Sequence, residues 1–217
     1  MKLLLPKYDL RPCSLEVVRD LCERFHGYKS AGNASVYAFA VYEDGEPVAG
    51  YSWQPPPTGC ARAVCPEAPG GVLSLSRMAA VDVKDRIVKV SRPLRRQMRV
   101  LIDRTRWPVL VTFSDEGQGH TGYVYKCSGW QATKRGPRPV YEDSRGCRAS
   151  SYSNGRHGGR EDVSRAGTTV MQRWEQWACP RGEALRWMTQ HGWRRIPVIG
   201  KVWRSGNPAY TWVREAA

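Results

Sequence analysis

Apolar positions in the first part of the chain follow the spacing of helices and strands. One face of 14–26 is apolar at a helical period, which predicts a helix that Ser14 can cap. Two apolar runs, 36–42 and 48–53, flank a short turn signal and predict a β-hairpin. Residues 54–71 contain five prolines and three glycines, and we predict a long loop there.

From residue 73 onwards, predicted strands alternate with predicted helices. Strict alternation over 73–78 places Arg77 on the same strand face as Leu73 and Leu75. Further patterns follow along the chain: a helix from Ser91 to about residue 104, a buried apolar strand over 108–113, a short helix over 120–127, a strand from Trp130 and a helix over 180–191. This order predicts an α/β fold in which 73–81 and 109–113 are parallel neighbours.

Composition divides the chain into three parts. Residues 143–168 are rich in Gly, Ser and Arg and predict a flexible loop. We interpret 1–142 as the core of the fold. The remaining segment, 169–217, is basic and aromatic, and we predict that it returns to the sheet as strands and contacts DNA.

The overall composition is that of an ordinary globular protein. Hydrophobic residues make up 41% and charged residues 25% of the chain, which argues against wholesale disorder. No apolar run is long enough to span a membrane, and the first six residues are too short a stretch, and too soon broken by Pro6, for a signal peptide. We therefore expect a soluble cytoplasmic protein without a membrane partner.

A net charge of +14 is the strongest global feature. The last 87 residues contain 16 basic and 7 acidic residues, so the excess is denser in that part. Such a charge favours polyanions, with nucleic acid first and CoA-type phosphates second, although it also fits a merely basic soluble protein. The sequence leaves the oligomeric state open, and a homodimer is compatible with it.

Seven cysteines occur without any Cys-x-x-Cys pair, which argues against a zinc knuckle. Cys60 and Cys65 lie in the Pro- and Gly-rich loop, where they could hold a metal or form a disulfide. Reduced thiols, several of them packed in the core, are the favoured interpretation.

A small set of polar residues is the candidate for chemistry: His26, Tyr28, Arg77, Asp115, His120 and Tyr125. A buried arginine needs an anionic partner, and Asp115 at the end of the next strand is a natural one. The pair is either structural or part of a pocket at the carboxyl ends of the strands. Tyr125 is either a core tyrosine or a site residue. Two histidines and a carboxylate could also bind a non-haem iron, if His26 and His120 converge on Asp115.

Several of these residues stand in motifs that resemble the phage Mom family of DNA-modifying proteins. The motifs are Leu75-Ser76-Arg77-Met78, Ser114-Asp115, Gly119-His120-Thr121-Gly122-Tyr123-Val124-Tyr125 and Gly129-Trp130. Phe25-His26 also fits the family's Phe-His-Tyr segment, although Gly27 intervenes before Tyr28. The Mom family is similar in fold to the GNAT acyltransferases. The resemblance implies a GNAT-like α/β fold, a mixed sheet with helices on both faces, with 1–142 as its catalytic core and a basic C-terminal extension.

The resemblance also implies an activity. Mom-type proteins convert the exocyclic N6 of adenine in double-stranded DNA to an acetamido (carbamoylmethyl) derivative, which protects phage DNA from host restriction. It implies an active site of Arg77, Asp115 and Tyr125, to which we add Tyr28 as a candidate catalytic residue. An acyl-CoA-type donor such as acetyl-CoA and an iron ion are the cofactors that it suggests, and His26 and His120 are our candidate ligands for such an iron.

One departure from the GNAT pattern concerns the donor. GNAT enzymes hold the CoA pyrophosphate on a glycine-rich loop, but residues 81–90 contain no glycine. Either charge replaces that loop, with Ser91, Arg92 and Arg95 at the following helix as our candidates, or the donor differs. Two alternative functions also remain open: a conventional GNAT N-acetyltransferase acting on a protein or small amine, and a non-catalytic DNA-binding protein.

Overall fold

Eight strands form one mixed sheet in the computed structural model of the chain, which describes residues 9–29, 34–83, 86–87, 90–149, 163–202 and 208–215. The strands are β1 (Asp9–Pro12), β2 (Tyr37–Glu43), β3 (Glu46–Gln54), β4 (Val72–Ala80), β5 (Asp82–Val83), β6 (Arg86–Ile87), β7 (Val109–Asp115), β8 (Gln131–Glu142), β9 (Arg148–Ala149), β10 (Ser164–Trp177), β11 (Trp193–Val202) and β12 (Pro208–Arg214). The sheet has the order β1-β2-β3-β4-β7-β10-β8-β9. Only β4 and β7 are parallel among these described neighbours.

Helices cover both faces of this sheet, which confirms the predicted α/β class. They are α1 (Leu15–Phe25), α2 (Thr58–Val64), α3 (Ser91–Arg96), α4 (Tyr123–Ser128) and α5 (Ala184–Gln190). On one face, called here the α1 face, α1 packs on β3 and β4, and α2 and α5 pack on the beginnings of β4 and β7. On the other, the α3 face, α3 and α4 cover a core of Tyr51, Trp53, Leu73, Leu75 and Leu110.

A bulge at Ser76 reverses the alternation of side chains in β4. The register passes from Trp53 opposite Leu75 to Ser52 opposite Arg77, so β4 has one extra residue at Ser76. The Ser76 hydroxyl donates to the Ser52 carbonyl at 3.0 Å and holds the bulge. Arg77 consequently faces α1, and the expectation that it shares a face with Leu73 and Leu75 is wrong.

The two parallel strands separate beyond a short paired stretch. β4 pairs with β7 only from Val72 to Ser74, opposite Val109 to Val111, although β4 continues to Ala80. The Thr112 hydroxyl donates to the Leu75 carbonyl at 3.1 Å where they part. The predicted parallel pair is confirmed, and its separation leaves an opening through the middle of the sheet.

The rest of the chain agrees with the sequence predictions only in part. The predicted loop over 54–71 contains α2 and a 3-10 turn, Pro69–Gly71. The predicted loop over 143–168 includes β9 and the beginning of β10, and its central residues 150–162 lie outside the described part of the chain. β10 completes the sheet as expected, but β11 and β12 pair with each other in a separate sheet because β10 and β8 already occupy that side.

Two further observations concern the cysteines and the helices. All seven cysteines are free, and Cys22, Cys65 and Cys179 are buried, while Cys60 is partly exposed.

No helix among the described residues combines the length and the apolar character needed to cross a membrane.

Candidate active site

A cavity of about 680 Å³ occupies the opening between β4 and β7. It extends to both faces of the sheet: the end of α1 and the segment after it line one side, and the residues of α4 line the other. All six polar candidates line it, namely His26, Tyr28, Arg77, Asp115, His120 and Tyr125. The carboxyl ends of the two parallel strands therefore meet at one pocket, as expected for an open α/β sheet.

Asp115 is held with one carboxylate oxygen satisfied and the other free. Its side chain is only 3% exposed. Oδ1 accepts hydrogen bonds from the Gly117 backbone N–H at 3.0 Å and from the Thr169 hydroxyl. Oδ2 is buried without a hydrogen-bond partner among the described residues. Because an unsatisfied buried oxygen is costly, an acceptor in this position is expected to serve a ligand.

Thr169 is a site residue that the sequence analysis missed. It comes from β10, where Met171 lies opposite Asp115. Thr169 is two residues before Met171 and therefore lies on the same face of the strand as Met171. Its hydroxyl also accepts from the Gly117 N–H at 3.2 Å. A Cβ on Gly117 would approach the Thr169 hydroxyl to 2.4 Å, so a glycine fits this close contact. No local signal links Thr169 to Asp115, since their pairing depends on strands 54 residues apart.

Arg77 does not pair with Asp115. The hydrogen bonds of Asp115 go to Gly117 and Thr169, so the predicted ion pair is wrong within the described part of the structure. The two strands are paired only as far as Ser74, so Arg77 and Asp115 stand on strands that are no longer paired at these positions. Arg77 instead donates to the Ser76 carbonyl at 2.7 Å, and its guanidinium lies 4.8 Å from the centre of the Tyr28 ring. Burial lowers the pKa of Arg77, chiefly by desolvation.

His26 is a neutral histidine at the wall of the cavity. Its Nδ1 accepts the backbone N–H of Tyr28 at 3.0 Å, so the neutral ring carries its proton on Nε2. Burial, reinforced by the positive charges of Arg77 and His120, lowers the pKa of His26 to about 4. His120 itself is exposed.

The expected iron site is not assembled. Among the residues with described positions, no group of three or more His, Cys, Asp or Glu side chains could hold a metal ion. Asp115 is directed to Thr169 and Gly117, and His26 uses Nδ1 for the backbone. The set of His26, His120 and Asp115 therefore does not fit an iron ion, although the two histidines lie near each other.

Two tyrosines of the same motif differ strongly in exposure. Tyr125 is 8% exposed, and its ring lies 6.0 Å from that of Trp130 and 5.9 Å from that of Trp174. Burial raises the pKa of Tyr125, and a hydrogen bond with Thr112 acts in the opposite direction. Tyr123, by contrast, is 72% exposed at the cavity wall. The motif thus supplies one core tyrosine that reaches the cavity and one accessible ring.

The candidate donor-binding residues lie apart from the cavity wall. Ser91 opens α3, and its carbonyl accepts from the Ser128 hydroxyl at 3.1 Å. Arg92 is exposed, and Arg95 donates to the Cys127 carbonyl at the end of α4. The side chains of 82–89, which include the basic residues of the glycine-free segment, lie outside the described part.

Comparison with known proteins gives a family and a set of distant structural similarities. The model of the Mom protein family matches residues 7–191. None of the curated proteins compared with the chain matches it. Among solved structures, the chain is similar to an N-acetyltransferase from Staphylococcus aureus Mu50, with a TM-score of 0.49, 9% identity, and coverage of 80% of this chain and 100% of the other.

Two further solved structures are similar to the same extent. The ribosomal-protein-S18-alanine N-acetyltransferase from Escherichia coli has a TM-score of 0.48 at 10% identity, with coverage of 81% of this chain and 97% of the other. An acetyltransferase from Salmonella typhimurium, solved with its cofactor acetyl-CoA, has a TM-score of 0.47 at 10% identity, with coverage of 81% and 96%. The family match extends over most of the sequence and includes every residue of the candidate site. The chain belongs to the Mom protein family.

Proposed function

We propose that this protein transfers an acetamido (carbamoylmethyl) group to the exocyclic N6 of adenine in DNA. The observation that carries the proposal is Asp115, which lines a cavity large enough for a base and whose buried Oδ2 has no hydrogen-bond partner among the described residues. Membership of the Mom protein family supports the choice of DNA as substrate. The high positive charge of the chain supports it independently, because a basic surface attracts the DNA backbone.

The N6 amine needs a base because its lone pair is delocalised into the purine ring. As N6 forms a bond to the methylene carbon of the transferred group, the bond from that carbon to its leaving group breaks and the leaving group keeps the electron pair. The N6 proton becomes acidic in the same step, and Asp115 Oδ2 accepts it. Gly117 and Thr169 keep Oδ1 occupied, so the proton acceptor is a single oxygen in a fixed direction.

An adenine must leave the duplex to reach Asp115. N6 lies in the major groove within the base stack, and enzymes that modify bases extrude the target nucleotide into a pocket. About 680 Å³ is within the range of pockets that enclose small ligands and leaves room for a base beside the reactive end of a donor. The accessible ring of Tyr123 and the ring of Tyr28 supply flat surfaces on which an extruded base would stack.

An acyl-CoA-type donor fits the opening between β4 and β7. Beyond Ser74, the described part of β4 has no strand neighbour on the β7 side, so its backbone from Ser76 to Ala80 is available for an extended, amide-containing chain. The basic side chains of Arg92 and Arg95 at the following helix would attract the phosphates. To give the carbamoylmethyl product, such a donor would have to carry the amide nitrogen of that group and release its leaving group from the methylene carbon, because transfer from a thioester carbonyl would give an N6-acyl adenine instead.

Mass spectrometry of nucleosides tests the proposal. DNA from cells that express the protein should contain a nucleoside heavier than deoxyadenosine by one acetamido substituent, and cells with the empty vector should not. An unchanged nucleoside profile from folded protein, combined with acetylation of a protein or a small amine, would instead support a conventional acetyltransferase.

A further inference from the structure

The C-terminal hairpin lies outside the part of the chain that matches the family. Strands β11 and β12 form a sheet of their own, and we call this hairpin the arm. The base of the arm is fixed to the domain by aromatic side chains. Trp193 and Trp212 pack against the core beneath α5, and the Arg106 guanidinium lies 4.7 Å from the centre of the Trp193 ring. The base of the arm is therefore anchored to the domain, whereas the pairing register of β11 and β12 shifts in the outer part of the arm.

A bulge in the outer part of the arm exposes a large apolar side chain. Pro197 lies opposite Tyr210, and the next paired residues are Val202 and Pro208, so β11 advances five residues while β12 moves back two. Ile199 lies within this bulge and is 98% exposed, and the following Gly200 adopts a φ of 75°. Bulges redirect side chains, and this one directs an isoleucine away from the protein.

Basic residues flank the exposed isoleucine. Arg195 and Lys201 are exposed, and neither forms an ion pair with any residue whose position is described. Arg194 and Arg214 are paired with Glu215 at 3.2 Å and with Asp103 at 3.6 Å. The sequence from 184 to 217 has six basic residues and one acidic residue. The surface of the arm is therefore positively charged.

We infer that the arm binds duplex DNA, with Arg195 and Lys201 on phosphates and Ile199 against the base edges. Two-stranded ribbons fit DNA grooves, and apolar side chains that contact or unstack base steps accompany basic ones in such proteins. A single exposed isoleucine would be unremarkable by itself, but here it stands in a bulge between two cations without acidic partners. The inference rests on the proposed function in naming DNA as the partner.

The arm contact is separate from the cavity. Trp193 shares a core cluster with Val109 at the beginning of β7, and Asp115 ends the same strand. Six residue steps along a strand correspond to about 20 Å. That distance is roughly six base pairs along a duplex at about 3.4 Å per step. The base of the arm therefore stands several base-pair steps from Asp115, and none of the described arm residues lines the cavity.

Fluorescence anisotropy with the full chain and a labelled 24-base-pair duplex tests this contact. The double variant Arg195→Gln/Lys201→Gln is compared with Arg11→Gln/Arg24→Gln, which removes the same charge from the opposite part of the chain. Loss of two phosphate contacts should reduce the steepness of the log–log salt dependence by about 1.8 and weaken binding tenfold or more at about 0.1 M salt. The matched control should change neither by a comparable amount.

Ile199→Ala supplies a second, uncharged test. Binding should weaken several-fold with an unchanged salt slope, whereas Val100→Ala, which truncates an exposed valine elsewhere, should bind as the wild type does. The inference would be overturned if Arg195→Gln/Lys201→Gln and its control Arg11→Gln/Arg24→Gln had the same affinity for DNA and the same salt dependence of binding. So would light scattering that shows the arm variants converting a dimer into a monomer, since the arm would then bind a second copy. Because the assay requires no transfer reaction, DNA binding through the arm without a modified nucleoside would contradict only the proposed function.

Discussion

Thr169→Val removes the hydroxyl that orients Asp115 while keeping the shape of the side chain. The hydroxyl donates to Asp115 Oδ1 and accepts from the Gly117 N–H. After the substitution, Gly117 still donates to Oδ1 at 3.0 Å, so no buried backbone donor is left without an acceptor. The carboxylate, however, loses one of its two donors and can rotate towards either oxygen. We therefore expect the variant to fold and to modify adenine more slowly than the wild type.

The size of the effect follows from the kind of hydrogen bond that is lost. A hydrogen bond to a charged group contributes about 1.5–3 kcal/mol. If that free energy orients Oδ2 towards the N6 proton, its loss corresponds to a rate reduction of about 10- to 150-fold. The stability loss should be about 1–2 kcal/mol, because the introduced methyl group is buried and offsets part of the lost hydrogen bond, while the Gly117 donor remains paired.

The rate of appearance of modified deoxyadenosine after induction gives the activity, and thermal melting of the purified variant gives the stability. Thr169→Ser is the matched control because it keeps the hydroxyl, and it should retain most of the activity. Wild-type rates in Thr169→Val would refute the orienting role. Equal losses in the Ser and Val variants would also refute it, since the methyl group rather than the hydroxyl would then matter.

Four further variants test other residues of the cavity. The pKa of His26 is about 4 in the folded protein and near 6.5 in the unfolded chain. The free energy of unfolding should therefore fall by up to about 3 kcal/mol as the pH drops from 6.5 to 4. Thermal melting of His26→Asn across this pH range should not show this fall. Tyr125→Phe should melt within a few degrees of the wild type, and full activity there would assign Tyr125 to packing alone, while Tyr123→Leu should reduce modification by removing a stacking ring. Arg77→Gln should melt cooperatively and lose nucleoside modification, because the glutamine keeps a polar side chain at the cavity wall without the positive charge; loss of a cooperative melting transition in Arg77→Gln would instead make Arg77 a structural residue.

Local patterns predict the elements of this fold more readily than their exact pairing. The helical period of 14–26 and the apolar run before Phe113 each belong to one continuous segment, and both elements form as predicted. The bulge at Ser76 depends on the Ser52 carbonyl of the neighbouring strand, so the sequence of β4 alone cannot reveal it. That bulge determines which face Arg77 occupies.

The candidate site was predictable to the extent that it lies at strand ends. Asp115 and Arg77 line one cavity because the carboxyl ends of parallel strands lie together. Asp115 makes its hydrogen bonds to Gly117 and Thr169 and not to Arg77, and β4 and β7 separate before either residue, which no pattern within either strand encodes. Thr169 enters through the antiparallel register between β10 and β7, a long-range pairing that only the folded sheet defines.

Asp115→Asn tests the central claim most directly. The amide keeps the size of the side chain and can still accept from Gly117, but it cannot take a proton from N6. Cells expressing this variant should contain no more modified deoxyadenosine than empty-vector cells, while the purified protein melts cooperatively and binds duplex DNA within a few-fold of the wild type. Wild-type levels of the modified nucleoside from folded Asp115→Asn would contradict the assignment of Asp115 as the proton acceptor.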